Sequence, residues 1–142
     1  MQIKSVFKNN EKIPVKYTCK AGNISPPFAI LDVPKNTYSL VLIIDDPDAP
    51  SGLFTHWLVF NIPPIEEIKE NSIPGKQGRN DFQKIGYKGP CPPSGIHHYH
   101  FRLFALDSML NLPEGSSRQE IEKEMSGHII KNAELIGLFT KE

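Results

Sequence analysis

Hydrophobic positions along the chain fall into short, strand-like runs. YSLVLII (38–44) is rich in branched side chains and almost continuously apolar, the pattern of a strand covered on both faces. It stops at DDPDAP (45–50), where the prolines force a turn. THWLVFNI (55–62) resumes, and strict alternation places His56, Leu58, Phe60 and Ile62 on one face and Trp57, Val59 and Asn61 on the other. HHYHFRLFAL (97–106) reads as the next strand, with His97 and Tyr99 sharing one face and His98, His100 and Arg102 the other. ELIGLFT (134–140) alternates weakly and looks like a closing strand. One helical pattern comes late. Ser117 and Glu120 have capping-box spacing, and Ile121, Met125 and Ile129 recur at i, i+4, i+8. Gly127 weakens the last turn by about 1 kcal/mol relative to Ala.

Between these runs the chain is heavily punctuated. Its 13 prolines exclude long helices almost everywhere before residue 113. Residues 62–95 are expected to be mostly loop, and a loop of that length in a compact domain is more often functional than idle. Short strands separated by turns, with a single late helix, predict a mainly β fold: a sandwich with the helix packed outside. At 142 residues the chain suits one domain, spanning 1–142.

Charge narrows the partners. Lys plus Arg equals Asp plus Glu at 16 each, and no basic run exceeds two residues, so neither nucleic acid nor an anionic membrane is an expected partner. The longest apolar run, Leu40–Ile44, is far short of the roughly 20 residues a spanning helix needs, so no stable membrane insertion is expected. The opening MQIKSVFKNNEK lacks the apolar core of a secretory signal, and a cytoplasmic location is expected. Cys19 and Cys91 are too few and too separated for a disulfide framework or a zinc module; two free thiols are expected unless the fold brings them together.

The densest candidate chemistry is GPCPPSGIHHYHF (89–101). His97 and His100 lie on opposite faces of the expected strand and cannot share a metal, while His98 and His100 sit beside cationic Arg102 with no acidic third ligand nearby. No metal or cofactor is expected, and His98 and His100 read as solvated strand residues. His97 and Tyr99 differ, because they follow a turn shaped by Gly89, Pro90, Pro92, Pro93 and Gly95. Free backbone N–H groups of such a turn, beside an imidazole and a phenol, would make an anion-sized pocket; a plain tight turn fits the segment equally well. DDPDAP places Asp45, Asp46 and Asp48 at the end of a buried strand, either as functional carboxylates or as a solvated turn. His56, on a largely apolar face, needs a partner to be buried cheaply, and an Asp about ten residues earlier could orient it.

Together, DDPDAP, the HW of THWLVFNIP and GPCPPSGIHHYHFRLFALD resemble the phosphatidylethanolamine-binding protein family, in its compact prokaryotic branch. KYTCKAGNISPP, GRNDF, GYKGPCPP and GHIIKNAELIG extend the resemblance over the whole chain. It implies an antiparallel sandwich of Greek-key type with a small pocket for anions, often phosphate groups. Carried over by position, the pocket comprises Asp46, Asp48, Pro50, His56, Gly89, Pro90, His97 and Tyr99. Residue 98 is His where Arg is common in the family, replacing a permanent cation with one that titrates near neutrality. The longer C-terminal segment of eukaryotic members has no counterpart, so functions tied to it are not expected to transfer.

The expected function is non-enzymatic binding of a small phosphorylated or carboxylated ligand. A protein partner, a kinase or a serine protease, is implied by the resemblance alone. The resemblance also admits a homodimer that nothing in the residues demands. The alternative is a hydrolase using His56 or His97 as base with Asp46 as orienter. Cys91 as nucleophile is disfavoured by its flanking prolines, and no G-x-S-x-G elbow is present.

Overall fold

A computed structural model describes residues 1–141. Its strands are β1 (Gln2–Lys4), β2 (Glu11–Lys12), β3 (Phe28–Leu31), β4 (Ser39–Asp46), β5 (Phe54–Ile62), β6 (Glu67–Ile68), β7 (Lys76–Gln77), β8 (Ile96–Leu106) and β9 (Ile129–Thr140), with one α-helix, α1 (Arg118–Met125), before the last strand. Strands β2-β9-β8-β4-β5-β7 form one sheet in that order, and β1-β3-β6 form a second. β4 and β5 are sequential neighbours, whereas β8 returns over the long connection from residue 63 to lie on the far side of β4, a Greek-key-type crossover. The expected antiparallel pairing holds except at one edge: β2 runs parallel to β9 through Glu11–Gly137 and Lys12–Leu138.

Two apolar layers hold this together. Between the sheets, Ile3, Phe7, Ile13, Phe28 and Ile30 meet Leu42, Ile44, Trp57, Val59, Tyr99, Phe101 and Leu103. On the other face of the six-stranded sheet, Val41, Ile43, Leu58, Phe60 and Leu106 pack against Ile121 and Met125 of α1. β4 is therefore buried along its whole length, as its unbroken apolar run predicts.

β5 departs from strict alternation. Its partners on β4 shift register between Leu40 and Leu42 and again between Ile44 and Asp45, and each shift inserts one extra β5 residue. Trp57, Val59 and Ile62 consequently reach the layer between the sheets, while Leu58 and Phe60 lie under the helix. The expectation that Ile62 and His56 share a face with Leu58 and Phe60 is corrected by these two bulges. β8 alternates as read, with His97, Tyr99, Phe101, Leu103 and Ala105 all buried.

The helix starts as its cap spacing predicts: Ser117 accepts from the Glu120 amide, and the Glu120 carboxylate accepts from the Ser117 amide. It stops at Met125, one turn earlier than expected, because Gly127 adopts φ +83°. Ile129 is not a helical residue but the start of β9, opposite Leu106. Residues 62–95 hold β6, β7 and a bridge between Arg79 and Ile85, with loop elsewhere. Cys19 and Cys91 form a disulfide with Cα atoms 5.5 Å apart, correcting the expectation of two free thiols.

Candidate functional site

Three strand ends meet at one corner of the six-stranded sheet. The last residue of β4 contributes Asp46, the bulged start of β5 contributes His56, and the first turns of β8 contribute His97 and Tyr99. His56 is the residue inserted by the second bulge, between Thr55, opposite Asp45, and Trp57, opposite Ile44. A bulge re-aims a side chain, and here it brings His56 to the side of Tyr99 rather than under the helix. The four side chains line a cavity of about 270 Å³ together with Pro50. The remaining wall is apolar or small: Ala49, Ser51, Phe54, Phe82, Cys91, Pro92 and Pro93.

Hydrogen bonds fix how each polar group faces the cavity. The Nδ1–H of His97 donates to Oδ2 of Asp46 at 2.5 Å, and both side chains are more than nine-tenths buried. Oδ1 of Asp46 accepts from the amide of Asp48 at 2.8 Å. Each Asp46 oxygen thus already has a donor. Nδ1 of His56 lies 2.6 Å from the Lys88 carbonyl, and because a carbonyl only accepts, that nitrogen carries the proton. Neutral His56 therefore turns the lone pair of Nε2 away from Lys88. Burial pushes its pKa below the ordinary histidine value, a fall partly opposed by the Lys88 carbonyl and the charge of Asp46. The Tyr99 phenol is pushed well up by burial and by the charge of Asp46, so its O–H stays protonated and can donate. Ring contacts hold the imidazole of His56 at 5.3 Å from Phe54, 5.5 Å from Phe82 and 5.4 Å from Tyr99, all edge-on.

This geometry corrects several expectations. Asp46 orients His97, not His56, because the bulge directs His56 toward Lys88. Asp48 lies outside the cavity wall: its carboxylate accepts from both the amide and Nδ1 of His98, at 2.8 and 2.7 Å, and these bonds hold its pKa down. His98 is thus the partner of Asp48 rather than a freely solvated residue. His100 is half-buried, with Nδ1 3.2 Å from a Glu134 oxygen. Gly89 and Pro90 also stand behind the wall. The Gly89 amide donates to Asn23 at 2.7 Å, the Pro90 carbonyl accepts from Cys19, and a Cβ on Gly89 would sit 2.1 Å from the Tyr17 carbonyl oxygen. The turn is glycine-bearing so that it can press against residues 17–23, and the disulfide locks the same contact. Its N–H groups are not presented to the cavity through Gly89.

Asp45 lies on the opposite face of β4. Its Oδ2 accepts from Arg102 and Arg118, each at 2.9 Å. Sequence reading missed the aromatic wall. Phe82 belongs to the GRNDF segment and Phe54 stands two residues before His56, yet neither lies in a pattern that marks it as cavity-facing. Among the described residues, no group of three His, Cys, Asp or Glu side chains is placed to hold a metal ion. No helix among them is long and apolar enough to cross a membrane.

Comparison with known proteins agrees with the fold and the motifs. The family model for phosphatidylethanolamine-binding protein matches residues 3–140. A UPF0098 protein of Pyrococcus horikoshii is 53% identical, over 100% of this chain and 77% of its own length. One from Chlamydia trachomatis is 42% identical over the full length of both. A crystal structure of a phosphatidylethanolamine-binding protein homologue from Chlamydia trachomatis superposes with a TM-score of 0.96 at 42% identity, covering 99% of this chain and 97% of that one. E. coli YbcL superposes with a TM-score of 0.90 at 28% identity, covering 99% and 98%. The chain belongs to the phosphatidylethanolamine-binding protein family.

Proposed function

We propose that the cavity formed by Asp46, Pro50, His56, His97 and Tyr99 binds a small anionic group, a phosphate ester or carboxylate, without transforming it. The observation that carries this reading is the disposition of Asp46. With one oxygen on His97 and the other on the Asp48 amide, both of its oxygens are already engaged, while the Tyr99 hydroxyl and two imidazoles line the cavity beside it. Asp48, Gly89 and Pro90 support that arrangement from behind.

Proton bookkeeping refines the ligand. Neutral His56 offers an acceptor, so an anion bonds there either through its own O–H or by raising His56 to the imidazolium. The first route favours hydrogen-bearing monoanions, the second any anion that accepts from the imidazolium, and both tighten binding on acidification. NMR titration of labelled protein with phosphate and then O-phosphorylated small molecules tests this, followed at the imidazoles of His56 and His97. Saturable shifts at these rings, stronger at pH 6 than at pH 8 and absent in His56→Ala, are expected. Flat spectra, or binding lost on acidification toward pH 5, would defeat the proposal. Exposed Leu53 and Phe82 give the anionic group's carrier an apolar surface to rest on. That suits a regulatory or inhibitory role toward a kinase or serine protease. A cytosolic location goes with this reading, and structural disulfides there are common chiefly in hyperthermophiles.

One observation favours a second reading. The buried Asp46–His97 pair is the arrangement of a base and its orienting carboxylate. In a hydrolase, His97 would activate water. An esterase and phosphatase panel discriminates: turnover that disappears in His97→Ala supports hydrolysis, and turnover that persists marks contamination.

A further inference from the structure

A second, larger cavity lies apart from the one described above. It is a groove of about 560 Å³ between β1 and β9, with Ile3, Phe7, Ala133 and Leu135 contributing its apolar surface and Lys4 and Lys8 also lining it. Three features of this groove act together.

The first is an uncovered sheet edge. β9 is twelve residues long and pairs with β8 from Ile129 to Thr140. Among the described residues, its other side is hydrogen-bonded only near its end. The Ile136 amide donates to Asn9 Oδ1, the Ile136 carbonyl accepts from Asn10, and the Leu138 carbonyl accepts from Ile13. Those contacts fix the parity of the strand: main-chain groups of Ile136 and Leu138 point away from β8. The same parity turns the N–H and C=O of Asn132 and Glu134 outward. Asn9 and Asn10 bond at Ile136 and Ile13 at Leu138, and the groove begins beside Ile136, with Asn9 and Glu134 both in its lining. An edge left open beside an apolar groove is a template for another strand.

The second feature is charge. Glu134 is engaged by Arg102 at 2.9 Å, whereas exposed Lys4 and Lys8 make no ion pair with any described residue. Uncompensated charge in the groove is therefore positive. The third is the apolar surface itself, which suits alternate side chains of an extended segment.

We propose that this groove binds an extended peptide segment in which apolar and acidic residues alternate, added to β9 as an extra strand alongside Asn132 and Glu134. Apolar side chains lie against the groove surface lined by Ile3, Phe7, Ala133 and Leu135, acidic ones meet Lys4 and Lys8, and the peptide main chain completes the open edge. This site is separate from the anion cavity and stands independently of it.

Fluorescence anisotropy with a labelled, end-capped hexapeptide of alternating valine and glutamate tests the proposal. Saturable binding is expected, with little or none for the valine–lysine counterpart. Asn132→Pro removes one outward N–H without breaking the β8 ladder and should weaken binding about tenfold. Lys4→Glu combined with Lys8→Glu, both at exposed positions, should abolish it even if the proline variant fails to fold. Hydrogen exchange at the Asn132 and Glu134 amides should slow when peptide is bound, which purely electrostatic adhesion would not cause. Equal binding of both peptides, unchanged exchange at those amides, or no saturation would overturn the proposal. So would sedimentation showing a dimer that Asn132→Pro dissolves, since the edge would then belong to a second copy of the chain.

Discussion

Asp45 and Asp46 are adjacent in sequence, both buried, and end the same strand, yet they face different chemistry. Asp45 looks toward the helix, where Arg102 and Arg118 both donate to Oδ2 and Oδ1 has no partner among the described residues. Asp46 looks toward the cavity, where an imidazole and an amide donate and no permanent cation is present. The difference separates fold from function. Fixed guanidinium charges clamp α1 to the sheet through Arg118, which also donates to Thr55. Imidazole rings with a phenol leave the cavity side able to answer a ligand. Alternation at the end of one strand produces both environments.

The comparison breaks most visibly if Asp45 is removed. Asp45→Ala should lower the unfolding free energy by about 3 kcal/mol, since two partly buried guanidinium groups lose their shared carboxylate; the lower end of the usual range applies because both reach water and keep another acceptor, Glu134 for Arg102 and Thr55 for Arg118. Urea unfolding measures this, and phosphate binding by the folded fraction should be unchanged. Binding lost in step with stability would mean that the two faces are coupled.

Removing the disulfide strikes the cavity side. Cys19→Ser with Cys91→Ser frees the turn that carries Pro92 and Pro93 and should cost about 2–4 kcal/mol, chiefly by loosening the unfolded chain's constraint across 72 residues. Unlike Asp45→Ala, it should also broaden the NMR signals of His97 and Tyr99. Sharp signals at wild-type positions would show that the hydrogen bonds of Gly89 to Asn23 and of the residue-19 amide to Pro90 hold the turn without the disulfide.

Asp46→Ala sharpens the contrast from the other side. It leaves the buried Nδ1–H of His97 without an acceptor, which costs about 1–3 kcal/mol. Phosphate binding should disappear because His97 is no longer oriented. An Asp46→Ala protein that binds phosphate as tightly as wild type would remove Asp46 from the site.

How much of this could be read in the sequence depended on what set each feature. β8 was legible because it pairs on both sides with only a terminal irregularity, so period-two alternation carried His97 and Tyr99 to the correct face. β5 was not, since its two bulges arise from register against β4, and His56 reached the cavity only through one of them. β1 and β2, of three and two residues, exist by virtue of their partners and have no periodicity of their own. The Cys19–Cys91 bond and the Asn23–Gly89 contact join positions 72 and 66 residues apart, a proximity local pattern does not encode. The motifs marked segments that the fold brings to one corner of the molecule, but not which carboxylate serves which histidine.

The smallest effect concerns pH, and it isolates His56 from the clamp at Asp45. Burial depresses the folded-state pKa of His56 below its unfolded value near 6.5. A base with a depressed folded pKa contributes full stability above the unfolded value. That contribution falls as the pH drops from there toward the folded value, because the unfolded chain takes up the proton first. The loss from this one group is at most about 1.4 kcal/mol per pH unit. Urea midpoints at pH 7.5 and pH 6 should therefore fall further in wild type than in His56→Gln, with the Asp45–arginine pairs contributing equally to both proteins. Saturating phosphate should shrink the wild-type loss, because the anion favours the imidazolium that folding alone disfavours. Identical pH slopes in the two proteins would mean that folded His56 takes up its proton as readily as the unfolded chain does, so that burial does not disfavour the imidazolium. The imidazolium would then be open to an anion without a folding penalty, and phosphate should leave the difference between the two proteins' pH slopes unchanged only if His56 does not touch it.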